Sequence, residues 1–463
     1  MDMKYTENGV SGIRIAYIGG GSRGWAWGLM SDLVSASDIS GEVCLYDIDR
    51  PAAEANKIIG NGYNSADGAK SHWDYSVSDT LGGALDGADF VVISILPATF
   101  TEMQSDVHAP EKFGIYQSVG DTTGPGGIIR ALRELPMICE ITQAIKQHCP
   151  DAWVINYTNP MTVTVAMMYR VFPQIHAYGC CHEVAGTARL LAEIVADKFG
   201  GDPSRHDIMI SVTGINHFTW ITRARYHDID LYPIYREYAE KYAETGYTKG
   251  KDPNWRQNPF DFAHRVKFDL FNKYGCIAAA GDRHLAEFCD GDIYLGSREN
   301  AQSWGFDLTP VSYRIDQLNE RLEHSRLRVS GEEKLVIRKT GEEGVDQMRA
   351  ILGLHTLVTN VNMPNIGQVP ELPIGAVVET NAAFTAGDVS PVVSHLPDSI
   401  FQPVNRIVGI QQMIVDAAYD RDLDAAFEAF CLDPLVRIDR ADARKLFDEM
   451  VYNTREYLKD YGM

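Results

Sequence analysis

The chain is 463 residues long, 45% hydrophobic and 23% charged, with a formal net charge of −21. That length exceeds the ~250–300 residues at which a single core stops growing, so two domains are expected. The negative balance argues against nucleic acid and anionic lipid as partners but leaves room for an anionic small molecule held by local arginines. No apolar run approaches the ~20 residues of a membrane span, and the opening MDMKYTENGVSG lacks the basic and apolar regions of a signal peptide. Cys44, Cys139, Cys149, Cys180, Cys181, Cys276, Cys289 and Cys431 show no disulfide or zinc-finger spacing, so reduced thiols and a cytoplasmic location are expected.

Ile13, Ile15, Tyr17 and Ile18 read as a strand, which breaks into Gly19-Gly20-Gly21-Ser22-Arg23-Gly24 and continues as helix to Met30. Gly19, Gly21 and Gly24 stand on the G-x-G-x-x-G spacing of a dinucleotide cradle, with Ser22 and Arg23 inside the loop. Asp47 ends the next strand, placed to accept from a ribose, which favours NAD over NADP. A glycine-rich turn without a nucleotide is the alternative.

A helix is expected over Pro51–Gly60, a short strand at Ser76–Asp79, and a short helix over Asp79–Leu85. Ala88–Ile95 is continuous, apolar and β-branched, as in a buried parallel strand. Gln117–Gly127 reads as a long loop, suited to close ligand approach or to a solvent-exposed turn. Helix is expected over Ile128–His148, strand over Trp153–Pro160, helix over Met161–Arg170, strand over His176–Cys181, and helix from His182 to about Phe199. This alternation makes an α/β fold with a Rossmann-like doubly wound parallel sheet, whose ligands collect at the carboxyl ends of the strands.

The pattern changes near Gly200–Pro203. Domains are therefore expected at 12–205, binding NAD, and at 206–463, an α+β unit for substrate, metal and oligomerisation. Ile208–Arg225 alternates as strand and carries Gly214-Ile215-Asn216-His217. A tyrosine-rich helical segment reaches about Tyr247, before a polar loop with Pro253 and Pro259. Phe260–Tyr274 reads as helix, and Gly275–Ala280 leads into Asp282-Arg283-His284. Leu318–Gly344 reads as surface helix, Val358–Glu379 as strand pieces, and Val404–Phe430 and Ala441–Leu458 as closing helices.

Cys181 and His217 are the pair with metal chemistry, since a thiolate and an imidazole suit a divalent transition metal. Two such residues far apart in sequence are also compatible with buried structural roles. Asn159 offers a carboxamide to sugar hydroxyls or an N-cap to the next helix. His182 and Glu183 flank Cys181, or simply start a surface helix. Asp282, Arg283 and His284 form a polar triplet between apolar flanks, or a solvated loop.

Together these stretches resemble glycoside hydrolase family 4, the NAD- and Mn-dependent glycosidases. The resemblance rests on the glycine loop, Tyr46-Asp47-Ile48-Asp49, Gly124-x-Gly126-Gly127 with Arg130, Asn156-Tyr157-Thr158-Asn159-Pro160, Cys181-His182-Glu183-Val184, Gly214-Ile215-Asn216-His217, and Leu372-Pro373 followed by Ala376-Val377-Val378-Glu379. It implies an architecture like that of lactate and malate dehydrogenases, and a homodimer or homotetramer. It implies oxidation of the sugar at C3 by NAD, polarisation by the metal, proton removal at C2, elimination at C1, water addition and re-reduction. Such enzymes depart from the two-carboxylate scheme. Carried over, Cys181 and His217 hold the metal, Asn159 binds substrate and His182 is the acid. Tyr274 is the first choice of base, and Asp282 the second.

The resemblance also narrows the substrate. Leu96-Pro97 stands where phospho-glycosidases carry an arginine, which disfavours a 6-phosphate. Cys-His-Glu-Val resembles the α-galacturonidase branch, and Arg283 supplies a cation for a uronate carboxylate. The expectation is an exo-acting α-galacturonidase working on pectin fragments. An α-galactosidase, α-glucosidase or α-glucuronidase of the same family is the nearer alternative. An NAD-dependent sugar or 2-hydroxy acid dehydrogenase, or a non-catalytic NAD sensor, is the further one.

Overall fold

The computed structural model describes residues 3–249, 255 and 258–462. Its strands are β1 (Lys4–Thr6), β2 (Gly9–Ile18), β3 (Ile39–Tyr46), β4 (Trp73–Val77), β5 (Phe90–Ile93), β6 (Trp153–Asn156), β7 (His176–Gly179), β8 (Ile208–Ile215), β9 (Phe218–Tyr226), β10 (Ile229–Asp230), β11 (Ile277–Ala278), β12 (Leu357–Pro364), β13 (Val377–Thr385) and β14 (Asp388–Pro391). The larger sheet runs β14-β13-β12-β7-β6-β5-β2-β3-β4, with β1 paired to β2. From β7 to β4 every pairing is parallel. β2 lies between β3 and β5, so the chain winds away from it in both directions and leaves a crevice at the carboxyl ends of β2 and β5. This is the expected doubly wound sheet.

Alternate residues of β2 serve opposite layers, because side chains of a strand alternate in direction. Ile15 and Tyr17 join Leu33, Trp73 and Met348 on one face. Ala16 and Ile18 join Ile128, Leu132 and Leu135 on the other. Covering both faces is what makes these strands read as unbroken apolar runs.

Beyond β7 the sheet turns antiparallel. Asn362 of β12 pairs with Gly179 of β7, and β13 and β14 finish that edge. The segment 357–391 thus extends the sheet begun in the N-terminal half, and Pro370 and Pro373 fall in the connection between β12 and β13. The smaller sheet, β8 to β11, is antiparallel throughout. It is pinned to the larger one where the Val212 N–H donates to Asn381 Oδ1 at 2.9 Å.

Several expected boundaries move. The helix after the glycine-threonine loop begins at Gly124 rather than Ile128, with Pro125 in its first turn, where a missing N–H costs nothing. The rest of that loop turns inward, with the Val119 and Gly120 N–H groups donating to Glu287 Oε1 at 2.8 and 2.9 Å. The helix expected from Phe260 starts at Arg265, and the surface helix spans Val311–Ser330. The part of the polar loop around Pro253 lies outside the described residues.

Helix Gly124–His148 carries Arg130 toward the crevice and is held to helix Phe100–His108 by a buried ion pair. Arg133 donates from Nη1 and Nη2 to both oxygens of Asp106, at 3.0 and 2.5 Å, and each side chain is 1% exposed. Asp106→Ala would leave the guanidinium buried without its counter-charge, so a loss of about 3–5 kcal/mol is expected. Chemical denaturation against the unsubstituted protein measures it; a loss below ~1 kcal/mol would contradict that account.

Candidate active site

The glycine loop is shaped by close backbone approach. Gly19 has φ +90°, and a Cβ there would lie 2.0 Å from the Ser94 carbonyl oxygen. A Cβ on Gly21 would meet Ala52 Cβ at 2.7 Å and Asp47 Oδ2 at 2.9 Å. Asn56 clamps the loop through Nδ2, which donates to Gly20 O at 2.7 Å and Ser22 O at 3.0 Å. The Ser22 N–H closes the turn on Gly19 O, and Arg23 reaches Asp49 at 3.6 Å. Helix Trp25–Ser35 then starts at Gly24 with no side-chain cap and no acid in its first turn, leaving its positive end open to an anion. Asp47 Oδ2 accepts from Gly21 N–H and Oδ1 from Asp49 N–H, each at 2.8 Å. Each carboxylate oxygen keeps acceptor capacity for a ribose hydroxyl. The cradle fits a dinucleotide.

Across the crevice, Cys181 lies in the turn between β7 and helix Glu183–Phe199. His217 occupies the tip of the β8–β9 hairpin with φ +62°, a left-handed conformation that a non-glycine residue holds only under surrounding constraint. Thr122 supplies part of that constraint. Its hydroxyl donates to Asp121 Oδ1 at 2.9 Å and lies 3.0 Å from His217 Nδ1. With its one proton on Asp121, Thr122 can only accept, so His217 Nδ1 carries the hydrogen and Nε2 keeps its lone pair. Burial, then the adjacent His284, pushes His217 down to about 3, so the ring is neutral at pH 7. A neutral imidazole tied through its other nitrogen to a carboxylate relay is the form that binds metals.

Glu183 joins these elements. Its Oε2 accepts from Gly281 N–H at 2.8 Å, and Oε1 lies 3.7 Å from His182 and 3.9 Å from His284. Burial raises its carboxyl, but His284, His217 and His182 outweigh that and hold it well below the usual range. Asp121 is likewise raised by burial and then carried down to about 2 by Arg314, Arg130, His284 and His217. The Cys181 thiol is pushed up by burial and by Glu379 and Glu183, so only a bound cation would favour its thiolate. Among the described residues no three or more His, Cys, Asp or Glu form a metal cage. The side chain of Asn216, next to His217 in sequence, hydrogen-bonds the Cys181 sulfur and opposes the rise of its thiol.

The expected residues are placed unevenly. Cys181, His182, Glu183, His217 and Arg283 are linked by the charges and contacts just described. Asn159 precedes Pro160, the N-cap of the next helix, which has no side-chain cap; its Oδ1 accepts from Met161 N–H at 3.3 Å, and its carbonyl accepts from Arg130 Nε at 2.8 Å. Its amide NH2 faces no protein acceptor in that arrangement.

Tyr274 and Asp282 need correction. Tyr274 ends helix Arg265–Tyr274, edge-on to Trp220 at 5.7 Å and beneath Lys273. It makes no contact with the Cys181–His217 group. Asp282 lies at the opposite end of that helix, accepting from Val266 and Lys267 N–H groups at 3.3 and 3.2 Å. Its carboxylate caps a helix rather than facing a substrate. Successive helical residues point ~100° apart, so the triplet splits: Asp282 turns to the cap and His284 to the crevice. The His284 ring lies 3.9 Å from that of His217.

Sequence reasoning offered His284 only as part of a polar triplet, gave Asp121 and Asn56 no role of their own, and missed the linking role of Glu379. Glu379 was detectable as an acid inside the apolar run Val377-Val378, a position where burial demands partners. Its Oε1 accepts from Asn360 Nδ2 at 2.7 Å, and the same Nδ2 donates to the Cys181 carbonyl at 3.2 Å. Its Oε2 pairs with the Thr219 hydroxyl, which also reaches Ile215 O at 2.8 Å. Glu379→Ala strands these donors and should lower stability by about 1–3 kcal/mol. Glu379→Gln should lower it less; urea midpoints rank the two, and an equal loss would mean the links carry no stability.

The N-terminal region from residue 14 to 197 matches the model of the family 4 glycosyl hydrolases, and residues 212–436 match the C-terminal domain of that family. An alpha-galacturonidase of Thermoanaerobacterium saccharolyticum is 57% identical over 458 residues, 98% of each chain. An alpha-galacturonidase of Bacillus subtilis is 52% identical over 442 residues, 95% of this chain and 97% of that one. The crystal structure of lplD from Bacillus subtilis superposes with a TM-score of 0.91 at 50% identity, covering 95% of this chain and 100% of that one. The chain belongs to family 4 of the glycosyl hydrolases.

Proposed function

We propose that this protein is an exo-acting α-galacturonidase that releases galacturonate from pectin oligosaccharides, using NAD and a divalent cation such as Mn2+. The observation that supports the reading is a chain of contacts: Trp25, just after the glycine cradle, lies 5.9 Å from His182, Glu183 lies between His182 and His284, and His284 lies against His217. Relatives 48–57% identical that bear the name alpha-galacturonidase support it. We place the enzyme in the cytoplasm as a homodimer or homotetramer, which sedimentation would test.

When bound, NAD supplies a reversible hydride acceptor for C3 of the sugar, and the cation supplies a Lewis acid for its C2 and C3 oxygens. Gly19, Gly21, Ser22, Arg23 and Gly24 would hold the pyrophosphate, Asp47 the ribose, and Cys181 Sγ and His217 Nε2 the cation. Asn159 orients a sugar hydroxyl through its free amide.

His182 is exposed, with Nδ1 3.3 Å from Glu342 and Nε2 3.7 Å from Glu183. It stands between these two carboxylates, and we assign to it the proton given to the departing glycosidic oxygen. The base must take the C2 proton once C3 is at the ketone level. His284 fits that role: burial first, opposed by Glu183, lowers its pKa, so its ring is neutral at pH 7, and its buried Nδ1 has no protein partner. Trp25 stands beside Tyr157 and His182 at 5.3 and 5.9 Å, an aromatic wall suited to a sugar face.

With NAD and Mn2+ present, nitrophenyl α-galacturonide should be hydrolysed in preference to the α-galactoside and α-glucuronide, with no net NADH. No turnover of the first sinks the reading, and steady NADH accumulation favours a dehydrogenase. Dialysis against a chelator should abolish turnover, and added Mn2+ should restore it. His284→Gln should slow deuterium exchange at C2 by roughly 10²–10⁴-fold; exchange at the unsubstituted rate would remove His284 as the base.

A further inference from the structure

Two arginines elsewhere in this protein, Arg133 buried and Arg298 exposed, take a carboxylate in the fork geometry. Arg133 is bidentate on Asp106, and Asp307 accepts from Arg298 Nε and Nη2 at 2.9 and 3.0 Å. Arg283 and Arg314 do not. Arg283 is 7% exposed, its Nη1 is given to the Thr309 hydroxyl, and its face lies 4.6 Å over Phe260. Arg314, in the first turn of helix Val311–Ser330, has one long contact to Asp121 at 3.9 Å, with its side chain 19% exposed. The Nε of each is buried without a partner.

The two guanidiniums are close enough to repel one another; Glu183 is the stronger counter-charge on Arg283, and Asp121 acts on both. Neither takes it in the fork geometry that a guanidinium prefers. Helix Val311–Ser330 adds its positive end, having no side-chain cap and no acid in its first turn. Ser118 fixes the Arg283 backbone by donating to its carbonyl at 2.6 Å, and Thr309 N–H donates back to Ser118 O at 3.0 Å. The Arg283 cation is therefore held in place by protein rather than free to seek solvent. A buried, unpaired guanidinium is expensive unless a ligand supplies the anion.

We propose that Arg314 is a specificity-determining residue that, together with Arg283, grips the C6 carboxylate of the substrate, through the two unpartnered Nε positions. This rests on the galacturonide reading above. A planar two-oxygen group matches the forks; a hydroxymethyl group leaves both cations unpaired, so discrimination comes from the cost of the wrong ligand as much as from the gain of the right one.

The test is calorimetric titration of the protein loaded with NAD and Mn2+ with galacturonate, galactose and galactose 6-phosphate, alongside hydrolysis of nitrophenyl α-galacturonide. Arg314→Met should weaken galacturonate binding roughly 10–100-fold and leave galactose binding unchanged. Arg314→Lys, which keeps the charge and loses the fork, should fall between. Equal weakening of galacturonate and galactose by both variants, or no weakening, overturns the proposal, as does tighter Arg314-dependent binding of the 6-phosphate. If the unsubstituted protein binds galacturonate through Arg314 yet does not cleave the galacturonide, this inference stands and the proposed activity falls. If it binds galacturonate no better than galactose, both fall.

Discussion

One buried carboxyl holds the two sides of the crevice in register. Glu379, on β13, reaches the Cys181 turn through Asn360 and the His217 hairpin through Thr219. Those two loops come from different sheets, and neither is regular structure. Burial raises the Glu379 carboxyl, and Thr219, Asn360 and Asn362 oppose that rise. The whole cluster is fully buried, where a hydrogen bond is strong and an unmade one is costly. The left-handed backbone of His217 persists because hydrogen bonds on both sides of the hairpin fix it: Thr122 on the ring, Thr219 on the strand.

Around this joint, burial sorts the ionisable groups. Glu134 and Glu287 are each pushed up to about 8, chiefly by burial, and are neutral at pH 7. Glu287 therefore serves as a shaped hydrogen-bond partner for the Val119–Gly120 backbone rather than as a charge. Glu183 and Asp121 stay ionised because cations and histidines crowd them. Acids of the same kind thus end in opposite states within one cavity, the arrangement that lets proton donors and acceptors coexist at one pH.

The parallel sheet was legible because strands buried on both faces are continuous apolar runs, and the glycine cradle because its spacing follows from contacts that exclude Cβ. Cys181 and His217 were legible as chemistry but not as neighbours, since only the fold brings β7 and the β8–β9 hairpin together. Tyr274 and Asp282 were chosen by residue type, which does not show that Tyr274 packs edge-on to Trp220 or that Asp282 accepts from the Val266 and Lys267 N–H groups. The late strands 357–391 were seen only as pieces, because local pattern does not say which sheet a strand will join.

That shared sheet has a consequence for how the protein is made. β7 lies at the edge of the parallel run until β12 arrives from residues 357–364, far later in the chain. During synthesis the dinucleotide half emerges first with an unpaired, buried-type strand at its border, the kind of surface that invites association with other chains. The metal-side cysteine lies just beyond that strand. The strands that complete the sheet also bring Asn360 and Glu379 to the Cys181 turn, so one late segment of the chain finishes both the sheet edge and the support of the site.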